Sequence, residues 1–117
     1  NTKSPNIYEW KKILKDFINR NTKSINVGSI QNLVASHFNL NMQEMLSPRR
    51  SRSLARPRQI AMYLAKQHTT NSLPDIGRKF SNRDHTTVIH AVKKIDELIK
   101  KDNDIKQSVI EIKKKLL

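Results

Sequence analysis

Apolar residues recur at spacings of three and four in one stretch of this chain after another, and that rhythm commits it to α-helices. Ile7, Trp10, Ile13, Leu14, Phe17 and Ile18 form one stripe over residues 6 to 20, and Ile30, Leu33, Val34, His37 and Phe38 form another over 28 to 38. Asn41 and Glu44 have capping-box spacing and open a short helix over 42 to 47. Ile60, Ala61, Leu64, Ala65 and His68 share one side of a helix over 54 to 68, with Pro57 expected in its first turn, where a missing N–H does least harm. Ser72 is placed to cap a helix over 73 to 80, with Pro74 in its first turn and Asp75 positioned to reach back. Asp84 is placed to cap a long helix over 85 to 101 that carries Val88, Val92, Ile95 and Ile99. After the polar break Asp102-Asn103-Asp104, a last helix over 105 to 116 packs through Ile105, Val109, Ile112 and Leu116. No strand is expected.

These elements give an all-α helical bundle, preceded by an amphipathic linker helix. Asn19 to Ser24 is polar and reads as a linker, so the expected division is 1–24 for the linker helix and 25–117 for the bundle domain. Within the bundle, Leu73 to Lys101 has the anatomy of a helix-turn-helix, a short helix joined to a longer one by the tight turn Ser81-Asn82-Arg83. Gly77 inside the first helix carries a penalty of about 1 kcal/mol relative to Ala; close approach of the second helix would explain it. Ile76 and Phe80 are expected to meet Val88 and Val92 in the core.

Charge narrows the function. Lys and Arg number 23 against 10 acids, a net +13. Self-repulsion on that scale points to a polyanionic partner, nucleic acid first and an anionic membrane surface second. The chain has no cysteine, which excludes a disulfide framework and a thiolate metal site. No apolar run approaches the roughly 18 residues of a spanning helix. The chain begins Asn1-Thr2-Lys3, without an initiator Met or a signal-like apolar region, and is expected to be a fragment.

The second helix of the motif opens with Arg83-Asp84-His85-Thr86-Thr87. When such a helix enters the major groove, its N-terminal residues reach the base edges. Asp can accept from cytosine N4, threonine methyls can touch the thymine methyl, and His85 can donate or accept. Thr86, His90 and Lys93 line a polar stripe opposite the core. Upstream lies a dense arginine run, Arg49, Arg50, Arg52, Arg56 and Arg58. Arg58, Gln59 and Lys66 can bind phosphates, and Arg50, in the irregular arm, can enter a minor groove.

The residues now become specific. Ser51 to Met62, Leu73-Pro74-Asp75-Ile76-Gly77 and Arg83-Asp84-His85-Thr86-Thr87-Val88-Ile89-His90-Ala91 together resemble the C-terminal DNA-binding domain (domain IV) of the bacterial chromosomal replication initiators, the DnaA family. The resemblance runs from about Ile25 to Leu117. It implies a Trp-repressor-like helix-turn-helix that binds short asymmetric duplex sites, the DnaA boxes, at the replication origin. By matching position, Arg50 would be the minor-groove arginine. Arg58, Gln59, Lys66, Leu73 and Pro74 would hold the backbone or groove edge. Asp84, His85, Thr86 and Thr87 would read bases with His90 beside them, and Arg83 would support the motif or a phosphate. Many relatives have Gly-Gly where this chain has Ser81-Asn82; Asn tolerates the left-handed conformation, so the turn is expected to survive. Residues 1–24 resemble the end of the family's preceding AAA+ domain plus linker.

The resemblance also implies a cytoplasmic, nucleoid-associated protein. The chain lacks a G-x-x-x-x-G-K-[ST] loop, so ATP and Mg belong to the full-length relatives and no cofactor or enzyme activity is expected of this piece. It is expected to be monomeric, the full-length relatives oligomerising on the origin. His37 and His68 lie on apolar faces and read as core-edge residues. His85 and His90 are five apart, which is not the spacing of a helical zinc pair. The rival from another class is attachment to acidic phospholipids through the 6-to-20 helix, which carries Lys11, Lys12 and Lys15 on an amphipathic frame. RNA is disfavoured because no exposed aromatic platform is evident.

Overall fold

The computed structural model describes residues 25–48 and 52–116, Arg52 by its backbone alone. The expected helix over 6 to 20 and Arg50 lie outside the described residues. The described part contains helices and no strand: α1 (Val27–His37), α2 (Met42–Leu46), α3 (Arg52–His68), α4 (Leu73–Arg78), α5 (His85–Lys101) and α6 (Asn103–Leu116).

α3 is the central element. It packs most extensively on α5 and α1, and α5 in turn carries α4 and α6. The stripe read from the sequence undercounts α3, because Met62 and Tyr63 are buried together with Ile60, Ala61, Leu64 and Ala65. A helix apolar almost all round is one that neighbours cover on several sides. Ile30 and Val34 of α1, Ile76 and Phe80 around α4, Val88, Ala91 and Ile95 of α5, and Val109 and Ile112 of α6 complete one continuous core. Each large side chain so buried contributes about 1.5–3 kcal/mol. Val92, expected in that core, packs against it while only partly buried.

Helix ends differ from the sequence reading where a cap or a distant partner decides them. Asn26 caps α1, its side-chain oxygen accepting from Ser29 N–H at 2.8 Å. The capping box at Asn41 and Glu44 forms in both directions. α3 begins at Arg52 rather than at 54, which places Pro57 beyond the first turn; the N–H it lacks is the one that would reach the Ser53 carbonyl. α6 begins at Asn103 because the break is a single residue. Asp102 ends α5 and also caps α6, its Oδ1 accepting from the N–H groups of Asp104 at 3.0 Å and Ile105 at 3.3 Å. Buried Gln31 donates its Nε2 to the Lys79 carbonyl at 2.9 Å and ties α1 to the end of α4.

His37 and His68 sit half-buried, His37 edge-on to Phe38 with ring centroids 4.9 Å apart. His68 Nε2 is enclosed without a hydrogen-bond partner among the described residues. Burial, then the positive Lys113, holds this imidazole below its ordinary value of 6.5. The unfolded chain therefore takes up a proton at His68 before the folded protein does. The stability due to the neutral ring is complete above about 6.5 and is lost as pH falls through and below it. Urea unfolding midpoints should drop between pH 7 and pH 5, and His68→Gln should make that drop shallower; an unchanged slope in the variant would contradict the assignment.

Gly77 has a packing reason, and it is closer than a helix crossing. A Cβ there would overlap the carbonyl oxygen of Arg83 and crowd its carbonyl carbon at 3.1 Å. The backbone entering α5 thus runs directly over Gly77, whose own carbonyl accepts the Arg83 N–H at 2.8 Å. Gly77→Ala gains helix propensity yet must push backbone, which neither side can yield cheaply. Thermal unfolding should show a net loss of roughly 1–3 kcal/mol, the range of overpacked sites; an Ala variant as stable as the parent would exclude this contact.

Candidate nucleic-acid interface

The helix-turn-helix is built from local signals that close on one another. Ser72 caps α4 by accepting from Asp75 N–H at 3.3 Å, and Pro74 lies in the first turn. Asp75 does not reach back to complete a capping box; its carboxylate accepts from the Arg78 side chain one turn on. Lys79 and Phe80 end α4, and the chain then reverses through two consecutive left-handed residues, Ser81 at φ 64° and Asn82 at φ 54°. A non-glycine residue pays about 1–2 kcal/mol for that conformation, and Asn pays least. Ser81 is held by its hydroxyl, which donates to the Leu46 carbonyl.

That bond belongs to a larger arrangement. The last carbonyls of a helix have no partners within it, and α2 is only five residues long. Arg58 wraps its end, with Nε donating to Met45 O at 2.9 Å and Nη2 donating to Glu44 O at 3.0 Å and Ser47 Oγ at 2.7 Å. Arg83 Nη2 donates to Ser47 O at 3.0 Å. Four consecutive carbonyls, Glu44 to Ser47, are thereby met by side chains from α3 and from the turn before α5.

Arg58 consequently departs from the picture of a solvent-facing phosphate ligand. It is 4% exposed, and burial, then the charge of Arg83, holds its guanidinium below the ordinary arginine value. The reason is local: the nearest strong acceptors are the carbonyls at the negative end of α2.

The N-terminal end of α5 projects outward. Asp84, His85, Thr86, Thr87 and His90 are exposed, while Val88 and Ala91 face the core. Asp84 occupies the capping position but makes no side-chain capping bond. Its Oδ1 lies 2.9 Å from His85 Nδ1, and its Oδ2 accepts from Thr86 Oγ1 at 3.0 Å. The Thr86 hydroxyl is the main cause holding the Asp84 carboxyl below the usual carboxylate range, so it is an ionised acceptor at neutral pH.

α5 and α3 flank an open cleft. Thr87, His90 and Ala91 line it from α5, Arg83 from the turn, and Ala55, Arg58, Gln59 and Met62 from α3. The cleft continues along Arg56, Lys93, Lys94 and Glu97. Gln59 is half-buried and accepts from Arg56 Nη1 at 2.7 Å. Leu73 and Pro74 stand at the start of α4, Leu73 half-buried and Pro74 exposed; Lys66 is exposed near the end of α3. The structure thus gathers Arg58, Gln59, Arg83, Thr87 and His90 around one groove, with exposed Asp84, His85 and Thr86 between Arg83 and Thr87 in the chain. Sequence reading passed over Arg56 and Lys94 as cleft residues. Arg56 carried a signal as part of the arginine run; Lys94 carried none, since only the facing helix makes its position part of a groove.

The family model for the bacterial dnaA protein helix-turn-helix matches residues 27–95, from α1 through most of α5. The chain belongs to the bacterial DnaA helix-turn-helix family. It is 50% identical over 97 residues to the chromosomal replication initiator protein DnaA of Gluconobacter oxydans, covering 83% of this chain and 20% of that protein. It is 50% identical over 101 residues to the DnaA of a Wolbachia from Brugia malayi, covering 86% and 22%. The chain thus spans about a fifth of the length of these DnaA relatives. A solved structure described as a DNA replication initiation factor superposes with a TM-score of 0.69 at 27% identity, over 97% of this chain and 38% of that one.

Within the DnaA fold described here, Arg58 ties α3 to the end of α2. Replacing it with Met leaves buried carbonyls without their charged donor, a loss of about 1.5–3 kcal/mol for bonds of this type. Chemical denaturation of Arg58→Met should show that loss in the absence of any ligand; stability equal to the parent would return Arg58 to the solvent-facing class.

Proposed function

We propose that this chain is the sequence-specific, double-stranded-DNA-binding part of a longer replication initiator, and that it docks on DnaA boxes at a replication origin. The observation that carries the reading is the exposed Asp84–Thr87 end of α5, whose Thr87 lines a basic cleft. Short polar side chains reach base edges only when the helix end itself enters the major groove, and the flanking cations supply the attraction to phosphate that makes entry favourable.

In this reading Asp84, His85, Thr86 and Thr87 face the bases with His90 beside them. Gln59, Lys66, Leu73 and Pro74 hold the backbone and groove edge. Arg58 and Arg83 fix the walls of the cleft, and Arg50 serves as the minor-groove arginine. Residues 25–117 form the binding domain and 1–24 the linker from the rest of the initiator. ATP, Mg and assembly on the origin belong to that remaining four-fifths of the relatives' length.

The test is a titration of the chain with a DnaA-box duplex and its shuffled counterpart near physiological salt. The box duplex should bind more tightly. His85→Ala and Thr86→Ala should each lose roughly 1–3 kcal/mol on the box and little on the shuffled duplex. Equal affinities for the two duplexes, or unchanged discrimination in both variants, would refute the reading.

A further inference from the structure

Charge on α6 is sorted by side. Ile105, Val109, Ile112 and Leu116 recur every three or four residues and hold the helix against the core. By the same spacing Lys106, Ile110, Lys113 and Lys114 share one side of that stripe, while Asp104, Ser108, Glu111 and Lys115 share the other. Two contacts show which way each side is turned. Glu111 Oε2 lies 3.9 Å from His37 Nδ1 on α1. Lys113 Nζ stands 6.0 Å from the centroid of the Tyr63 ring on α3, and after burial its charge is the second cause holding His68, at the end of α3, below its ordinary value. The lysine side of α6 therefore meets the last turns of α3. There Tyr63 is buried and its hydroxyl accepts from Gln67 Nε2 at 2.8 Å, and Lys66, one turn beyond Tyr63, is exposed.

The bundle itself does not balance this side. Lys106 and Lys114 are exposed and Lys113 half-buried, and no acid pairs with them or with Lys66 among the described residues. The negative pole of a helix end suits lysines in the last turn, but Lys106 lies at the start of α6, where the dipole disfavours a cation. A membrane surface fits poorly, because an interfacial helix needs a broad apolar face. The apolar stripe of α6 is committed to the core, and only Ile110 stands among the lysines. Nucleic acid fits better. Lys106 to Lys114 spans about 12 Å of helix, and one DNA strand carries a phosphate about every 3.4 Å of its axis, so the row matches about three phosphates.

We propose that Lys106, Lys113 and Lys114 of α6, continuing from Lys66 of α3, form a second and sequence-independent contact that holds the phosphate backbone of duplex flanking the recognised site. This rests on the DNA-binding reading above. It adds an element that is no part of the helix-turn-helix.

The experiment titrates the full chain by fluorescence anisotropy over a salt series against two duplexes, a DnaA box with minimal ends and the same box extended by about one helical turn, roughly ten base pairs, on each side. Wild type should bind the extended duplex about tenfold more tightly near physiological salt, with a steeper salt dependence. Lys106→Gln/Lys113→Gln/Lys114→Gln should lose most of that gain. Its slope of log affinity against log salt on the extended duplex should fall by about 2–3, with binding of the short duplex near wild type. If the triple variant melts below the parent, the double Lys106→Gln/Lys114→Gln, at exposed positions, should still lower the slope by about 2. An unchanged slope on the extended duplex would overturn the proposal. So would an equal loss on both duplexes, which marks the general field of the charge and not a contact. Loss of binding to phosphatidylglycerol vesicles with duplex binding intact would also overturn it and give this side of α6 to a membrane. Box and shuffled duplexes bound alike would sink the sequence-specific reading, yet a loss confined to the extended duplexes would still support this contact.

Discussion

The C-terminal end of α2 is where the fold is tied. A helix of five residues has almost no intrinsic stability, and its terminal carbonyls would be left without partners. Here the carbonyls of Glu44, Met45, Leu46 and Ser47 receive Arg58 from α3, Ser81 from the turn and Arg83 from the residue before Asp84. The three donors come from parts of the chain that the helix-turn-helix pattern treats as unrelated. Through them the starting point of α5 is set relative to α3, and with it the width of the cleft between the two helices. The consecutive left-handed residues Ser81 and Asn82 persist in this setting because the hydroxyl of Ser81 and the guanidinium of Arg83 hold the turn from outside, while Gly77 admits the backbone from beneath.

How much of this was legible in the sequence follows from the range of each interaction. Helix identity was legible throughout the described residues, because burial on one face writes itself into spacings of three and four. The span of α5, 85 to 101, was legible to the residue, since Asp84 stands before it and the polar break after it. The start of α6 was not, because a single Asp102 serving two helices looks locally like a longer loop. Gln31 and Arg58 were opaque for a stronger reason. The partner of Gln31 is the Lys79 carbonyl, and nothing near residue 31 announces it. An arginine in a basic run looks the same whether it meets phosphate or a carbonyl, and only the position of α2 decides.

The candidate site divides along the same line. Its helix-end portion is contiguous, residues 83 to 87, so it stood out as a string. The cleft is assembled from α3 and α5, so Arg56 and Lys94 acquire meaning only when the helices are brought face to face. Asp84 was legible as an N-terminal residue of α5 but not in its use. Capping geometry and the contact with His85 and Thr86 compete for the same carboxylate, and the second prevails in the fold.

This bears on what the charge excess is for. A net +13 invites the assumption that every cation waits for an anion. Arg58 and Arg83 are instead engaged with backbone carbonyls, where guanidinium geometry serves several acceptors at once. The exposed cations that face the groove, Lys93 and Lys94 among them, are long and flexible and suited to sequence-independent attraction, which salt screens. The groups at the start of α5 are the opposite: short, and in contact with one another through Asp84. In the proposed function, attraction to phosphate and discrimination between bases therefore fall to different side chains. Arg58 ties α3, and Arg83 ties the start of α5, to the end of α2.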